Sequence, residues 1–196
     1  MERFEGQGIH YAATAMEAQL CSGEVVVVGG GNSAGQAAVF LSRYAKVHLL
    51  VRSDGLAATM SDYLVQRIHS SARITLHTHS DITAVAGEST LREVTWVDRR
   101  TGQSTTVAAG NVFVMIGAEP NTAWLHGCVE LDAKGFVRTG TALGEVASAF
   151  ETSRRGIYAV GDVRSGSVKR VASSVGEGSV VVQSIHAFLN PVSAGG

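Results

Sequence analysis

Four consecutive valines followed by three glycines constrain the fold more than any other stretch of the chain. Val25–Val28 predict a strand that is buried on both faces, because an uninterrupted β-branched run is typical of parallel sheets covered by other layers. The run 36–42 after the glycines has the composition of a helix. The order of strand, tight turn and helix predicts an α/β fold with a parallel sheet.

The small residues of this turn have the spacing G-x-G-x-x-A, with Gly29, Gly31 and Ala34 at the three positions. Such a turn bends sharply at its first glycine, admits a pyrophosphate at the second and lets the helix pack closely at the alanine. The spacing predicts a Rossmann-like dinucleotide-binding domain, with a glycine-rich turn of another doubly wound protein as the alternative. Asn32 and Ser33 are expected to cap the helix or to contact a phosphate oxygen. The predicted phosphate-contact residues are Gly29, Gly30, Gly31, Asn32, Ser33 and Ala34.

The residues after the second predicted strand, 46–51, bear on the choice of nucleotide. At this position an acidic residue binds the ribose 2′-hydroxyl of NAD, whereas an arginine accommodates the 2′-phosphate of NADP. Arg52 follows the strand directly, so NADPH is favoured, and Asp54 keeps NADH as the less favoured alternative. Arg67, on the next predicted helix, either faces the same phosphate or lies on the surface.

A β-meander is predicted after the second helix from alternating segments at 73–79, 82–85 and 91–97, closed by 105–108. His77 and His79 would share one face of its first strand and are expected to be surface histidines. No third ligand accompanies them, so the sequence predicts no metal site.

Two later strands are predicted to end at a ligand. The buried strand 111–117 would bring Ile116 and Gly117 to a bound cofactor, because parallel sheets bind ligands at the carboxyl ends of their strands. The strand 156–160 would deliver Asp162, just before a helix that opens at 169 and continues to Leu189. Asp162 would then bind a ribose or ribityl hydroxyl, or cap that helix. A further short helix is predicted at 142–150.

Three motifs in this order resemble the thioredoxin reductase-like flavoproteins, the class II pyridine nucleotide-disulfide oxidoreductases. They are the glycine motif, the run 113–117 with Pro120-Asn121-Thr122 behind it, and Gly161-Asp162-Val163. The resemblance covers nearly the whole chain. It implies an NADPH-binding domain at 1–112 and the C-terminal lobe of an FAD-binding domain at 113–196. It also implies that Asp162 binds the FAD ribityl chain and that the next helix begins at the flavin ring. The implied FAD contacts are Gly161, Asp162, Lys169, Arg170, Val171 and Ala172.

The chain departs from the family at the redox-active cysteines, whose positions are occupied by Ala12 and Ala15. Alanine cannot exchange disulfides, so no catalytic residue is assigned and a dithiol relay is expected to be absent. Arg52 matches one of the family's basic 2′-phosphate residues, whereas Ser53 and Ala57 stand at two others. Ser53 stays among the predicted nucleotide contacts with Arg52 and Arg67, and the phosphate is expected to be held more weakly or with the help of Arg67. The glycine motif that holds the ADP half of FAD in the family is also missing. We therefore interpret the chain as a piece of a longer flavoprotein.

The resulting prediction is an NADPH-dependent flavoprotein oxidoreductase that passes hydride from NADPH to FAD and on to an unknown acceptor, either a small molecule or a protein. The alternative is a catalytically silent nucleotide-binding or interaction module. The isolated chain is expected to be inactive, with NADPH bound and FAD not stably held. A net charge of −1 with scattered basic residues argues against nucleic acid. No apolar run approaches the roughly 20 residues of a membrane span. A cytoplasmic location, two free cysteines and, as one option, a homodimer complete the expectations.

Overall fold

A computed structural model describes residues 2–56, 60–144 and 148–190 and divides the chain into two compact units, Met1–Gly117 and Ala118–Gly196. The predicted boundary between residues 112 and 113 falls inside the last strand of the first unit. The assignment of the two parts to NADPH and FAD stays a prediction.

The first unit is built on a parallel sheet of five strands. Its strands are β1 (Ile9–His10), β2 (Glu24–Val28), β3 (Lys46–Leu50), β4 (Ile74–His77) and β8 (Ala109–Val114). The order across the sheet is β1-β8-β2-β3-β4, so β2 lies at the centre. Its helices are α1 (Ala15–Gln19), α2 (Asn32–Leu41) and α3 (Asp62–His69).

The valines of β2 supply two hydrophobic cores, one on each face of the sheet. Val25 and Val27 pack in the cluster that holds the apolar side of α2 and α3. Val26 packs in the second cluster, with Val94 and Trp96. All three valines are fully buried, and burial of a side chain of this size stabilises the fold by about 1.5–3 kcal/mol. The prediction of a Rossmann-like unit with three layers is confirmed.

The β-meander is present but begins later than predicted. It consists of β5 (Ser80–Gly87), β6 (Leu91–Asp98) and β7 (Ser104–Val107), paired antiparallel in that order. The segment predicted as its first strand instead forms β4, which pairs parallel with β3. Alternation of apolar and polar residues indicates that one face of a strand is buried, but it does not indicate which sheet the strand joins.

The second unit has little regular structure before its long helix, α4 (Val171–Leu189). The predicted strand 156–160 is not formed, and Tyr158 makes only an isolated bridge to Glu151. A strand needs a continuous neighbour to satisfy its backbone groups, and the pairing of this segment with residues 150–152 extends over that one bridge only. The predicted helix 142–150 is a 3-10 turn at Gly140–Leu143, and residues 145–147 lie outside the described part of the chain. Among residues 2–56, 60–144 and 148–190, no helix has both the length and the apolar character needed to cross a bilayer.

Candidate functional site

The glycine turn after β2 has a conformation that requires its first glycine. Gly29 has φ +140°, and a Cβ placed there would lie 2.5 Å from the Met115 carbonyl oxygen and 3.1 Å from the Ala34 Cβ. Its N–H donates to the Leu50 carbonyl at 3.0 Å, which ties the turn to the end of β3. The backbone therefore leaves β2 in a tight bend between two neighbouring strands.

The start of α2 is capped by backbone alone. Gly31 is the N-cap and provides no side-chain acceptor. The prediction that Asn32 or Ser33 caps the helix is wrong, because both lie inside its first turn. The Asn32 Oδ1 instead accepts a hydrogen bond from the Ser61 N–H at 2.8 Å and so joins the starts of α2 and α3. The first-turn N–H groups of α2 have no intrahelical acceptor and remain suited to bind an anion.

Three predicted contact segments meet at the carboxyl edge of the sheet. In the register of the sheet, Val28 pairs with Leu50 on one side and with Val114 on the other. Gly29, Arg52 and Ile116 therefore follow three adjacent strands at the same edge, where parallel sheets bind their ligands. Ile116 is 65% exposed, and Gly117 has φ +97° with no atom near its missing Cβ.

The residues predicted to contact the 2′-phosphate differ in the hydrogen bonds that they already form within the protein. Arg52 is exposed and makes no ion pair or hydrogen bond with the residues that the structure describes. The Ser53 hydroxyl donates to the Gly55 carbonyl at 2.8 Å. Arg67 donates to the Tyr63 hydroxyl at 2.8 Å and lies over that ring, so its guanidinium is held along α3. Ala57 lies outside the described residues.

The segment with the two alanines forms a short capped helix. Thr14 is the N-cap of α1 and forms a capping box with Glu17. Ala15 is the first residue of the helix, Ala12 precedes the cap, and both are exposed. Both cysteines of the chain are free. Cys21 donates to the Glu17 carbonyl, and burial together with the Glu17 charge raises the pKa of its thiol to about 11. A thiol with that pKa is neutral at physiological pH and is a poor nucleophile.

In the second unit, the turn Gly161–Val163 presents Asp162. Gly161 has φ +73°, and a Cβ there would lie 2.9 Å from the Ser174 hydroxyl of α4. Asp162 is exposed, and its carbonyl accepts a hydrogen bond from the Lys169 Nζ at 3.2 Å. The N-cap of α4 is Arg170, so the alternative in which Asp162 caps this helix is wrong.

The residues at the start of α4 form an exposed basic and apolar edge. Lys169 lies 4.0 Å from the centre of the Phe136 ring, and Arg170 donates to the Lys169 carbonyl. Val171 is 85% exposed, and Ala172 beside it is exposed as well. The Ser167 hydroxyl, in the same loop, is buried without a hydrogen-bond partner in the described part of the chain.

Sequence reasoning missed Glu177 and Arg164, which hold the Asp162 turn. Glu177 accepts hydrogen bonds from the Gly161 N–H and from the Arg164 guanidinium, both at 2.6 Å. The Arg164 hydrogen bond is the main reason why the pKa of Glu177 lies below its usual value. Glu177 is the only Asp, Glu, Lys or Arg within α4, and that isolated charge was the signal available in the sequence.

A second cluster of titratable groups crosses the parallel sheet beneath the β-meander. His48 is buried, and its Nε2 lies 3.2 Å from a Glu24 carboxylate oxygen. Its Nδ1 lies 3.0 Å from the Nε2 of His77, and both rings contact Trp96. The expectation that His77 is a surface histidine on the same strand face as His79 is wrong. His77 is half-buried at the end of β4, whereas His79 lies in the following turn with φ 51°.

This cluster predicts acid sensitivity of the first unit. Burial, followed by the charges of His48 and Lys46, lowers the pKa of His77 below 6.5. The unfolded chain then binds a proton more readily than the folded one, so stability falls as the pH drops below about 6.5. We expect the urea midpoint to decrease between pH 7.5 and 5.5, and to decrease less in His77→Gln. His69→Gln, at an exposed position of α3, is the control, and an equal pH response in all three proteins would contradict the prediction.

Comparison with known proteins places these features in one family. The model of the family described as pyridine nucleotide-disulphide oxidoreductase matches residues 2–178. The chain is 31% identical over 180 residues to the 34.2 kDa protein in the rubredoxin operon of Clostridium pasteurianum, covering 91% of this chain and 56% of that protein. It is 34% identical over 195 residues to NADPH-dependent thioredoxin reductase 3 of Arabidopsis thaliana, covering 96% of this chain and 35% of that protein.

A solved structure shows the same fold. The crystal structure of Lactococcus lactis thioredoxin reductase in its FR conformation superposes with a TM-score of 0.81 at 25% identity, over 97% of this chain and 61% of that one. The chain thus spans just over half the length of the Clostridium pasteurianum protein and about a third of the length of the Arabidopsis thaliana protein.

Proposed function

Because this chain belongs to the pyridine nucleotide-disulphide oxidoreductase family, we propose that it serves NADPH-dependent flavin reduction without a dithiol relay. Hydride would pass from NADPH to FAD and then to an acceptor of unidentified chemistry. When bound, FAD supplies the ability to accept a hydride and to release its electrons to a different acceptor. The chain itself would bind and orient the two cofactors.

The observation that carries the proposal is the carboxyl edge of the parallel sheet. There, the N-terminus of α2, which has no side-chain cap, offers N–H groups and partial positive charge to a pyrophosphate. Arg52 lies on the neighbouring strand exit and has no competing partner among the described residues. An unpaired guanidinium at this position supports NADPH over NADH, since it can pair with the 2′-phosphate.

The second unit fits the FAD role that the family resemblance implies. Asp162 is exposed, and its carboxylate makes no hydrogen bond or ion pair within residues 118–144 and 148–190. The buried Ser167 hydroxyl, also without a partner in those ranges, is a polar group that a ligand could satisfy. Asp162 would hold a ribityl hydroxyl, and the residues 169–172 would lie at the flavin ring.

The test uses the flavin-loaded protein, expressed from its complete reading frame. We expect NADPH to bleach its flavin absorbance in a stopped-flow trace. Re-oxidation by a quinone, ferredoxin or oxygen should then restore the absorbance. This chain expressed alone should bind NADPH in calorimetry and purify without yellow colour. A protein that contains flavin but is not bleached by NADPH would contradict the proposal.

The second candidate function is a nucleotide-binding or interaction module without turnover. The exposed alanines at positions 12 and 15 favour it, since they remove the dithiol of the family from this segment. Such a module would bind NADPH but would not oxidise it with any acceptor. Acceptor-dependent NADPH oxidation by the flavin-loaded protein rules this candidate out.

A further inference from the structure

We propose that Glu177 and Arg164 are positioning residues for the flavin, because one carboxylate fixes both ends of the turn that presents Asp162. The inference rests on the proposed function, since it assigns a role to the surroundings of the residue proposed to hold FAD.

The contacts of Glu177 define this arrangement. Its Oε2 accepts from the Gly161 N–H at 2.6 Å, at the first residue of the turn. Its Oε1 accepts from the Arg164 Nη2 at 2.6 Å, and the Arg164 Nε donates to Oε2 at 3.4 Å, at the residue after the turn. Hydrogen bonds to an ionised carboxylate are shorter and stronger than neutral ones, and the two-pronged arginine contact also fixes orientation. The turn is therefore tied to α4 at both of its ends.

Burial makes this pair sensitive to the loss of either partner. The Glu177 and Arg164 side chains are 14% and 20% exposed. Removing one charge would leave the other partly desolvated and without its partner, so Arg164 would have to rearrange. The Arg164 guanidinium also lies over the Phe150 ring, with its Cζ 5.3 Å from the ring centre. These contacts restrain the Arg164 guanidinium in the observed pair.

The turn itself fits closely against the same helix. The Ser174 hydroxyl occupies the space that a Cβ of Gly161 would need, and Glu177 follows Ser174 by three residues on the same face of α4. Asp162 lies between the two residues that Glu177 contacts. Its carboxylate makes no contact of its own in the described residues, so the backbone turn alone sets its position. Holding the turn in place pre-organises Asp162 for its ligand and lowers the entropy lost on binding.

The test compares four proteins with the wild type, each expressed from the complete reading frame and stripped of flavin. They are Glu177→Gln, Arg164→Gln, the exchanged pair Glu177→Arg with Arg164→Glu, and Glu130→Gln as control. Glu130 forms the matched pair in this unit, with Arg138 at 3.0 Å, but both side chains are more exposed. The Kd for FAD, the Kd for NADPH and the Tm without flavin are measured for each protein.

Glu177→Gln and Arg164→Gln are expected to raise the Kd for FAD about tenfold or more, as the loss of one charge-assisted hydrogen bond predicts. The Kd for NADPH should not change. The exchanged pair should recover Tm because the ion pair can reform, but it should not recover FAD affinity, because an arginine at position 177 cannot accept from the Gly161 N–H. Glu130→Gln should behave as the wild type.

Three results would overturn the inference: FAD affinity unchanged in Glu177→Gln, FAD affinity restored by the exchanged pair, or an equal loss of FAD affinity in the Glu130→Gln control. A wild-type protein that binds no FAD would instead contradict the proposed function. If Glu177→Gln does not fold, Glu177→Asp decides, because it keeps the charge and withdraws the carboxylate from Gly161. We expect it to bind FAD more weakly than the wild type at an unchanged Kd for NADPH.

Discussion

Arg52→Glu is expected to raise the Kd for NADPH about a hundredfold and to leave the Kd for NADH nearly unchanged. The substitution removes a cation that has no other partner in the described residues and places an anion beside the exit of β3. A hydrogen bond to a charged group contributes about 1.5–3 kcal/mol, and repulsion of the 2′-phosphate adds to that loss. Calorimetry with both nucleotides at one salt concentration measures the change in preference.

Arg73→Glu is the matched control for this change. Arg73 is exposed and directly precedes β4, at the opposite edge of the same sheet, so it undergoes the same charge reversal far from the glycine turn. Its NADPH affinity should stay close to that of the wild type. Arg67→Glu tests whether the second basic residue of the predicted site takes part. An unchanged NADPH-to-NADH preference in Arg52→Glu would mean that Arg52 is a surface charge only.

Gly29→Ala is expected to destabilise the first unit by about 3 kcal/mol and to abolish nucleotide binding. The added Cβ would lie 2.5 Å from the Met115 carbonyl oxygen, which belongs to the backbone and cannot rotate away. The φ of +140° adds backbone strain, because residues other than glycine rarely adopt this conformation. Urea unfolding, followed by NADPH titration at low denaturant, measures both effects.

Gly23→Ala is the control at a positive-φ glycine without a steric contact. Gly23 also has a positive φ, +68°, but no atom lies within 4 Å of its missing Cβ. This variant should lose only the part of the stability that comes from backbone strain, about 1 kcal/mol. Equal destabilisation of the two variants would contradict the prediction that position 29 is the more constrained of the two.

The fold of the first unit could be predicted from the sequence because short, contiguous stretches of residues specify its elements. The valines of β2, the glycines behind them and the strand 46–50 each specify one element, and their order specifies the parallel sheet. The assignment of 74–77 failed because strand pairing depends on distant residues. The position of His77 against His48 and Trp96 follows from that pairing, so it could not be predicted either.

The second unit was less predictable for a different reason. Its residues 156–160 have the composition of a strand, but a strand forms only beside a partner, and within the described residues Tyr158 makes a single bridge. The residues alone left Asp162 open between a ribose or ribityl hydroxyl and a helix cap, and the FAD role came from the family resemblance, whereas sequence reasoning did not identify the pair that holds its turn. Glu177 and Arg164 are 13 residues apart, and only the path of the chain through the turn and α4 brings them together.

The residues at and around α1 offer no reactive thiol that could hold electrons. At pH 7, a thiol with the raised pKa of Cys21 is ionised in roughly one molecule in ten thousand, and the methyl groups of Ala12 and Ala15 can neither accept nor donate electrons in disulfide exchange. An electron pair that entered the first unit would find no sulfur acceptor at this helix. Under the proposed function, the electrons taken from NADPH would therefore stay on the flavin until the acceptor arrives, and would not pass to a thiol of this helix.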